Sequence, residues 1–519
     1  MMEARQDRHD SERIPDAFLD GGDLDCGSGL LLLIRKHIDP LPRGGLLELQ
    51  SRESTVATDL PAWCRMTGNE LLSVRDDGDH QAYLICKGSP SERRQTAPLA
   101  SAASGGRRIG SVTVSEAGSE NATRIGPLAP VAPIPPLAVM GVGSWPRPRW
   151  LQAAIHAHVS GEMDEATFQD TADDAVRLCV AAQERAGVDV LTDGEQRRDS
   201  YASFVGGILD NCQLIPITDL LPYVDDPDEF ARELRALDVP ASEVRHPAVW
   251  GKLNRSRPLT VHEFAFVRRL SDKPIKVALP GPYLLTRTMW LECVSDRAYA
   301  AQEQLAEDIV RILREEVRDL LAAGVALVQL DEPVLSEVVY GESRQRRSFM
   351  CGALSGKRPP HRELEFAADL LQGVLQGMPR DRIGLHVCRG NWSRNEAVAL
   401  QGDYAPLIGT LAAIRVGTYF LELCTPRAGE WDVLRQLPDD ARIGVGVVNP
   451  KSDRVEAVDE ICFAVERAIR MFGYERVLLN PDCGFATFAD NPVNCAETAE
   501  AKLAAMHEAA VRCRCAFGG

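Results

Sequence analysis

Over residues 137–519 short apolar runs alternate with long amphipathic stretches, and that alternation predicts the elements. Strands are expected at LAVMGVGS (137–144), VDVLTDGE (188–195), IKVALPGP (275–282), ALVQLDEP (326–333), IGLHVC (383–388), TYFLELC (418–424), IGVGVVNP (443–450) and RVLLNPDCGF (476–485). Between most of them lie segments of helical period. Two of these, AAQEQLAEDIVRILREEVRDLLAAG and EAVDEICFAVERAIRMFG, close on glycine, the residue that most readily ends a helix. Eight strand–helix units in succession predict an α/β chain whose parallel strands close into a (β/α)8 barrel rather than an open sheet. Residues 212–271 are too many for one connection and are expected to form a helical insertion over the barrel mouth.

The first part of the chain has another rhythm. DAFLDGG, GLLLLIRKHID, GGLLELQSR, TDLPAWCRMTG, ELLSVRDD and HQAYLICKG, with a turn at Asp77-Gly78-Asp79, read as βαβαββ. That predicts a small two-layer α/β domain over residues 14–88. Residues 89–136 are rich in Ser, Ala, Gly and Pro without a sustained apolar period, the composition of a flexible linker, although GSVTV could pair as an edge strand. The large unit then covers 137–519.

Composition narrows the function. A formal net charge of −17 over 519 residues argues against nucleic acid or an anionic membrane as the main partner. The 14 cysteines are scattered rather than densely spaced, as expected of reduced thiols in a cytosol. The start MMEARQDRHDSER has no apolar core of a secretory signal, and GLLLLIRK is too short to span a bilayer. A cytoplasmic protein is expected.

Candidate chemistry concentrates where the predicted strands end. His386 and Cys388 stand two positions apart, so a strand would turn both toward one point, as zinc-type ligands do. The plainer alternative is a half-buried strand end with a hydrogen-bonded histidine and a small apolar cysteine. The other strand ends carry Gly143-Ser144, Asp193-Gly194-Glu195, Asp331-Glu332, Glu422, Asn449 and Asp482-Cys483. Polar and metal-binding types thus recur at the barrel end where such folds place their chemistry, which favours the zinc reading.

The segments GVGSWP, DGEQRRDSY, LPGPYLL, VQLDEPVLSE, LHVCRGN, LELCTPRAGE, GVGVVNPKS and LNPDCGF occur in an order that resembles the catalytic barrel of cobalamin-independent methionine synthases and their shorter core relatives. The resemblance implies a zinc ion held by His386, Cys388, Glu422 and Cys483, with Cys424, two residues after Glu422, as the alternative fourth ligand. It implies a substrate pocket in which Gly143 and Ser144 form the carboxylate-binding turn. Glu195 and Asp331 would be the catalytic-site carboxylates that receive the substrate ammonium, against a helix cap and a solvated ion pair as alternatives. Homocysteine or a similar amino-acid thiol is the implied acceptor. Two departures bear on the methyl donor: Lys451 stands where the long enzymes carry a histidine associated with the folate reaction, and Thr286-Arg287-Thr288-Met289-Trp290 replaces their Cys-Trp-Ser segment. Core relatives take methyl groups from other carriers, which brings in a methyl-carrier protein as partner, and one branch opens epoxides with a thiol cofactor.

The βαβαββ unit in turn resembles the TusA-like sulfur carriers, with Cys26 of Leu24-Asp25-Cys26-Gly27-Ser28-Gly29 at the place of their carrier cysteine and both motif prolines missing. The resemblance implies that Cys26 accepts a persulfide from a cysteine desulfurase or another sulfur-relay protein and delivers it to the barrel. The alternative is a docking domain with an inert Cys26.

Overall fold

The computed structural model describes residues 14–24, 30–92, 128–216, 245–291, 295, 298–340, 358–391, 393–396, 399–489 and 492–518. Cys26, Cys293 and Cys351 lie outside them. The chain divides into two compact units, 1–122 and 123–519.

In the first unit β1 (Ala17–Gly22), β2 (Leu46–Ser51), β3 (Glu70–Asp76) and β4 (Gln81–Cys86) form one sheet in the order β1-β2-β4-β3. β1 and β2 are parallel and joined through the helix Leu30–Ile38; β3 and β4 are an antiparallel hairpin. At its turn the Asp77 amide donates to His80 O and Gly78 takes a positive φ of 92°, as the Asp-Gly pair predicts. Leu30, Ile34 and Ile38 of the helix are buried, together with Leu47 and Leu49 of β2 and Tyr83 and Ile85 of β4.

The second unit contains six parallel strands, β7 (Lys276–Pro280), β8 (Leu327–Asp331), β9 (Ile383–Val387), β10 (Thr418–Leu421), β11 (Arg442–Val448) and β12 (Val477–Pro481), paired in chain order. Parallel bridges join the two edges of this sheet through the two remaining segments: Leu479 to Val139, Met140 to Val190, and Leu191 to Ile275. The pairing therefore runs round a closed ring. Those first two segments were expected as full strands, yet each contributes only bridges. The cause is local: Leu137 has a φ of 54°, and the Asp189 carboxylate accepts from the Val139 amide at 2.8 Å, occupying a donor available for strand pairing. Arg514 holds that carboxylate in turn at 2.7 Å.

The ring interior is filled by Ala138, Met140, Val190, Leu327, Phe420 and Leu478, with Ile134 packed against them. Phe420 is the largest of these, and room for its ring comes from Gly384 and Gly444, where an added Cβ would lie 2.7 and 2.4 Å from ring carbons. Residues 128–136, read from composition as linker, lie against the same unit: Arg382 donates to Ala129 O and Arg442 to Ile134 O. The strands also stop one to four residues before their expected ends; for β7, β8 and β11 the cause is Pro282, Pro333 and Pro450, which follow within two residues and cannot donate to a ladder.

The insertion at 212–271 departs from expectation. Its described residues open as an antiparallel pair, β5 (Asp210–Pro216) with β6 (Arg245–Asn254), and only then reach the helix Val261–Leu270. That helix begins where the buried Glu316 carboxylate accepts from the Leu259 and Thr260 amides at 2.8 and 2.7 Å, a cap supplied from the neighbouring helix Gln302–Ala323. No helix among the described residues is long and apolar enough to cross a membrane.

Candidate metal centre and substrate cleft

Asp331 is the last residue of β8 and His386 the fourth of β9, and the two are register partners. Side chains at one level of adjacent parallel strands share a face, so the carboxylate and imidazole meet: His386 Nδ1 donates to Asp331 Oδ1 at 2.9 Å. The ring is thereby turned so that Nε2 is buried without a hydrogen-bond partner. Cys388 stands one residue beyond β9 and Cys483 two beyond β12. The ligand atoms of His386, Cys388 and Cys483 all lie within 4.8 Å of one another. One imidazole nitrogen with a free lone pair and two sulfurs form a donor set that suits a tetrahedral ion with one position open, and the carboxylate behind the histidine is the usual support for such a ligand. The two sulfurs interact directly. A hydrogen bond from Cys483, helped by His386, pulls the Cys388 thiol down to about 7, while the same bond and burial push Cys483 far above its ordinary value.

Glu422 and Cys424 are placed differently. Glu422 is buried beside the cluster but outside the converging set. Its Oε2 accepts from the Arg389 amide at 2.9 Å and its Oε1 from Arg427 Nε at 3.0 Å. Cys424 Sγ donates to Asp482 Oδ2 at 2.7 Å, and burial together with the charge of Asp482 raises its thiol well above the ordinary range. Three of the residues picked out in the sequence thus converge, while the fourth is tied to arginine.

The cluster forms one wall of a cleft that Gly143, Ser144, Glu195 and Asp331 also line. Close packing of the loops builds the far side. A Cβ on Gly143 would stand 2.1 Å from Glu195 Oε1, and one on Gly484 would stand 2.1 Å from Ser144 Oγ, so side chains there would displace both groups. Glu195 itself has a φ of 54°, a strained conformation for a residue with a side chain, and is not at a helix start. Two bonds hold it there: its amide donates to Asp193 Oδ1 at 3.0 Å, and Arg147 Nη2 donates to its carbonyl at 2.7 Å. Its Oε2 is buried without a partner, and burial raises the carboxyl to about 7, with Asp331 pushing the same way and Arg198 opposing. Asp331 Oδ1 receives two donors, His386 Nδ1 and Gln329 Nε2, while Oδ2 has no partner among the described residues.

Several contributors escape a motif-based reading. Arg147 bridges the loops after the second and eighth segments by donating also to Ala486 O at 3.1 Å. Arg427 fixes Glu422, and Gln329 orients Asp331. Only Gln329 leaves a sequence signal, a polar residue two positions before Asp331 in an otherwise apolar strand.

A family model described as the cobalamin-independent synthase catalytic domain matches residues 137–215, 233–371 and 378–512. The chain belongs to that family. Among its relatives, a methionine synthase from Sulfolobus acidocaldarius is 26% identical over 344 residues, 66% of this chain and 84% of that protein. A 5-methyltetrahydropteroyltriglutamate–homocysteine methyltransferase from Mycolicibacterium paratuberculosis is 27% identical over 368 residues, 71% of this chain and 42% of that protein. The solved structure of a B12-independent methionine synthase from Shewanella sp. W3-18-1 in complex with selenomethionine shares the fold, with a TM-score of 0.55 at 20% identity, covering 73% of this chain and 98% of that one.

The raised Glu195 carboxyl has a stability consequence. The folded protein keeps this proton up to about 7, whereas the unfolded chain loses it near 4.5, so the stabilisation is full below 4.5 and lost as pH rises to 7. Above that range an unpaired carboxylate is buried at a cost. Glu195→Gln is therefore expected to stabilise the ligand-free protein at about pH 8 by about 1–3 kcal/mol, with the gain vanishing near pH 4. Thermal unfolding at the two pH values checks it.

Proposed function

We propose that the chain is a zinc-dependent methyltransferase that methylates the thiol of homocysteine. The observation that carries this is the sharing of one cleft by the His386–Cys388–Cys483 cluster and the carboxylates of Glu195 and Asp331. His386 Nε2 and the two cysteine sulfurs would hold zinc, and Glu422 would supply the fourth, exchangeable ligand on release from Arg427. Zinc bound there supplies a Lewis acid that keeps a substrate thiol as thiolate at neutral pH. The remaining work falls to the protein. Ser144 and the neighbouring turn receive the amino-acid carboxylate, while Glu195 Oε2 and Asp331 Oδ2, carboxylate oxygens without a hydrogen-bond partner, face the ammonium. A charged amine entering a closed cleft needs such pairing. Because Glu195 loses its proton near 7, ammonium binding strengthens as pH rises through that value.

The Mycolicibacterium relative is named for a 5-methyltetrahydropteroyltriglutamate donor. Of the residues that depart from the pattern of the long enzymes, Lys451 has a buried amine without a hydrogen-bond partner and Arg287 is paired with Glu363 at 3.4 Å. Mass spectrometry of the product from homocysteine, offered that folate, a methyl-carrier protein or a persulfide, identifies the donor and separates methyl transfer from sulfur transfer. The closed ring of parallel pairing and the family match support a (β/α)8 barrel for the catalytic unit.

A second role is proposed for the first unit. Its βαβαββ order and mixed sheet support a TusA-like sulfur carrier in which Cys26 takes up sulfane sulfur from a cysteine desulfurase.

Three outcomes follow. Purified protein is expected to bind about one zinc per chain, and Cys483→Ser or His386→Ala should lose metal and activity while keeping the circular dichroism spectrum; zinc retained in full by both variants would overturn the assignment. Asp331→Asn should weaken homocysteine far more than a simple thiol without an amino group, and equal losses would mean that Asp331 does not read the substrate. Incubated with desulfurase and cysteine, wild-type protein should gain the mass of sulfur and Cys26→Ser should not; an unmodified wild type would reduce the first unit to a docking domain.

A further inference from the structure

Lys276 opens β7 with its side chain buried inside the barrel, 4.5 Å from the centre of the Phe420 ring. Its Nζ donates to Gln329 Oε1 at 2.6 Å. Gln329 Nε2 donates in turn to Asp331 Oδ1 at 2.7 Å, the oxygen that also accepts from His386 Nδ1 at 2.9 Å. Four buried side chains on three adjacent strands thus form one unbroken chain of hydrogen bonds, from the barrel interior to the cysteine cluster.

The chain has a fixed direction. A lysine nitrogen has a hydrogen to give in either protonation state, and a carboxylate has none, so the amide between them is held with oxygen toward Lys276 and NH2 toward Asp331. Asp331 Oδ1 is then saturated by two donors. Its plane is set, Oδ2 is left for the cleft, and His386 must carry its proton on Nδ1 and present the Nε2 lone pair.

We propose that Lys276 and Gln329 are a positioning pair that sets, through Asp331, both the nitrogen His386 offers to metal and the carboxylate oxygen offered to the substrate ammonium. This rests on the zinc and amino-acid reading of the cleft given above. Filling space does not account for the pair. The Lys276 nitrogen lies over the Phe420 ring and the residue's register partner on β8 is Leu327, and taking a lysine out of water there costs far more than an apolar side chain would. Burial pulls the Lys276 ammonium down to about 7, and the nearby carboxyl groups of Asp331 and Glu195 oppose that shift.

The test compares wild type, Lys276→Met, Gln329→Leu and the double variant for zinc affinity, by competition with a chelator, and for methionine affinity of the zinc-loaded protein. Each single variant is expected to weaken both by about 10- to 100-fold, the range for outer-shell partners of metal-bound histidines. Because the two residues act through one chain, the double variant should be no weaker than the worse single one. Binding of 2-mercaptoethanol to the zinc-loaded variants should change little, which separates positioning from general loosening of the site. Replacing both partners by apolar groups leaves no unpaired polar atom between them, so the double variant keeps the test open if a single variant fails to fold. Wild-type protein that binds both ligands, beside a double variant that binds both equally tightly, overturns the relay alone. A wild type that binds neither overturns the reading of the cleft and the relay with it.

Discussion

The bond between Asp331 and His386 is the contact on which the cleft turns. It joins β8 to β9 at their register-paired ends, 2.9 Å from carboxylate oxygen to ring nitrogen. On one side it decides which imidazole nitrogen faces Cys388 and Cys483; on the other it decides which carboxylate oxygen faces the open space. The face proposed for the metal and the face proposed for the amino acid are thus held in one geometry by a single side-chain pair. Neither can shift without carrying the other along.

Around that contact the loops are fastened by buried donors aimed at backbone carbonyls. Arg147 ties Glu195 O to Ala486 O, Asn391 Nδ2 reaches Gly484 O at 2.6 Å, and Thr487 Oγ1 reaches Asn391 O at 2.9 Å. Arg389, stacked on Tyr404, donates to the carbonyls of Gly402 and Glu422. Functional side chains on loops are ordinarily mobile; here their backbones are bonded to one another, so the geometry exists before any ligand arrives. Glu195, the strained residue of the cleft, is held by this network rather than by a helix or strand.

Much of this was legible in the sequence, because β-strands of a parallel barrel are buried on both faces and read as apolar runs that end on polar residues. The runs around Leu330, Leu385 and Leu479 located β8, β9 and β12, and with them Asp331, His386 and Cys483. Spacing could not show where Glu422 points, since that is decided by Arg427 on the loop that follows. The hairpin of β5 and β6 was missed because its two strands are separated by 28 residues, 217–244, so no short turn marks it. Lys276 carries no such signal either: a lone lysine near the start of an apolar run looks like a boundary residue, and only the closed ring turns that position inward.

The ring closes between Val139 and Leu479, residues separated by most of the catalytic unit, and the cleft straddles that seam. Ser144 comes from one side of it and Cys483 and Gly484 from the other. A ribosome delivers the first side long before the second, so a nascent chain that has not yet released β12 owns only part of the cysteine–histidine set and part of the cleft lining. Contacts this distant in sequence are slow to form. Competence is therefore acquired late in biogenesis, in the step that seals the ring, and a chain cut short anywhere before Cys483 is a fold without a workplace.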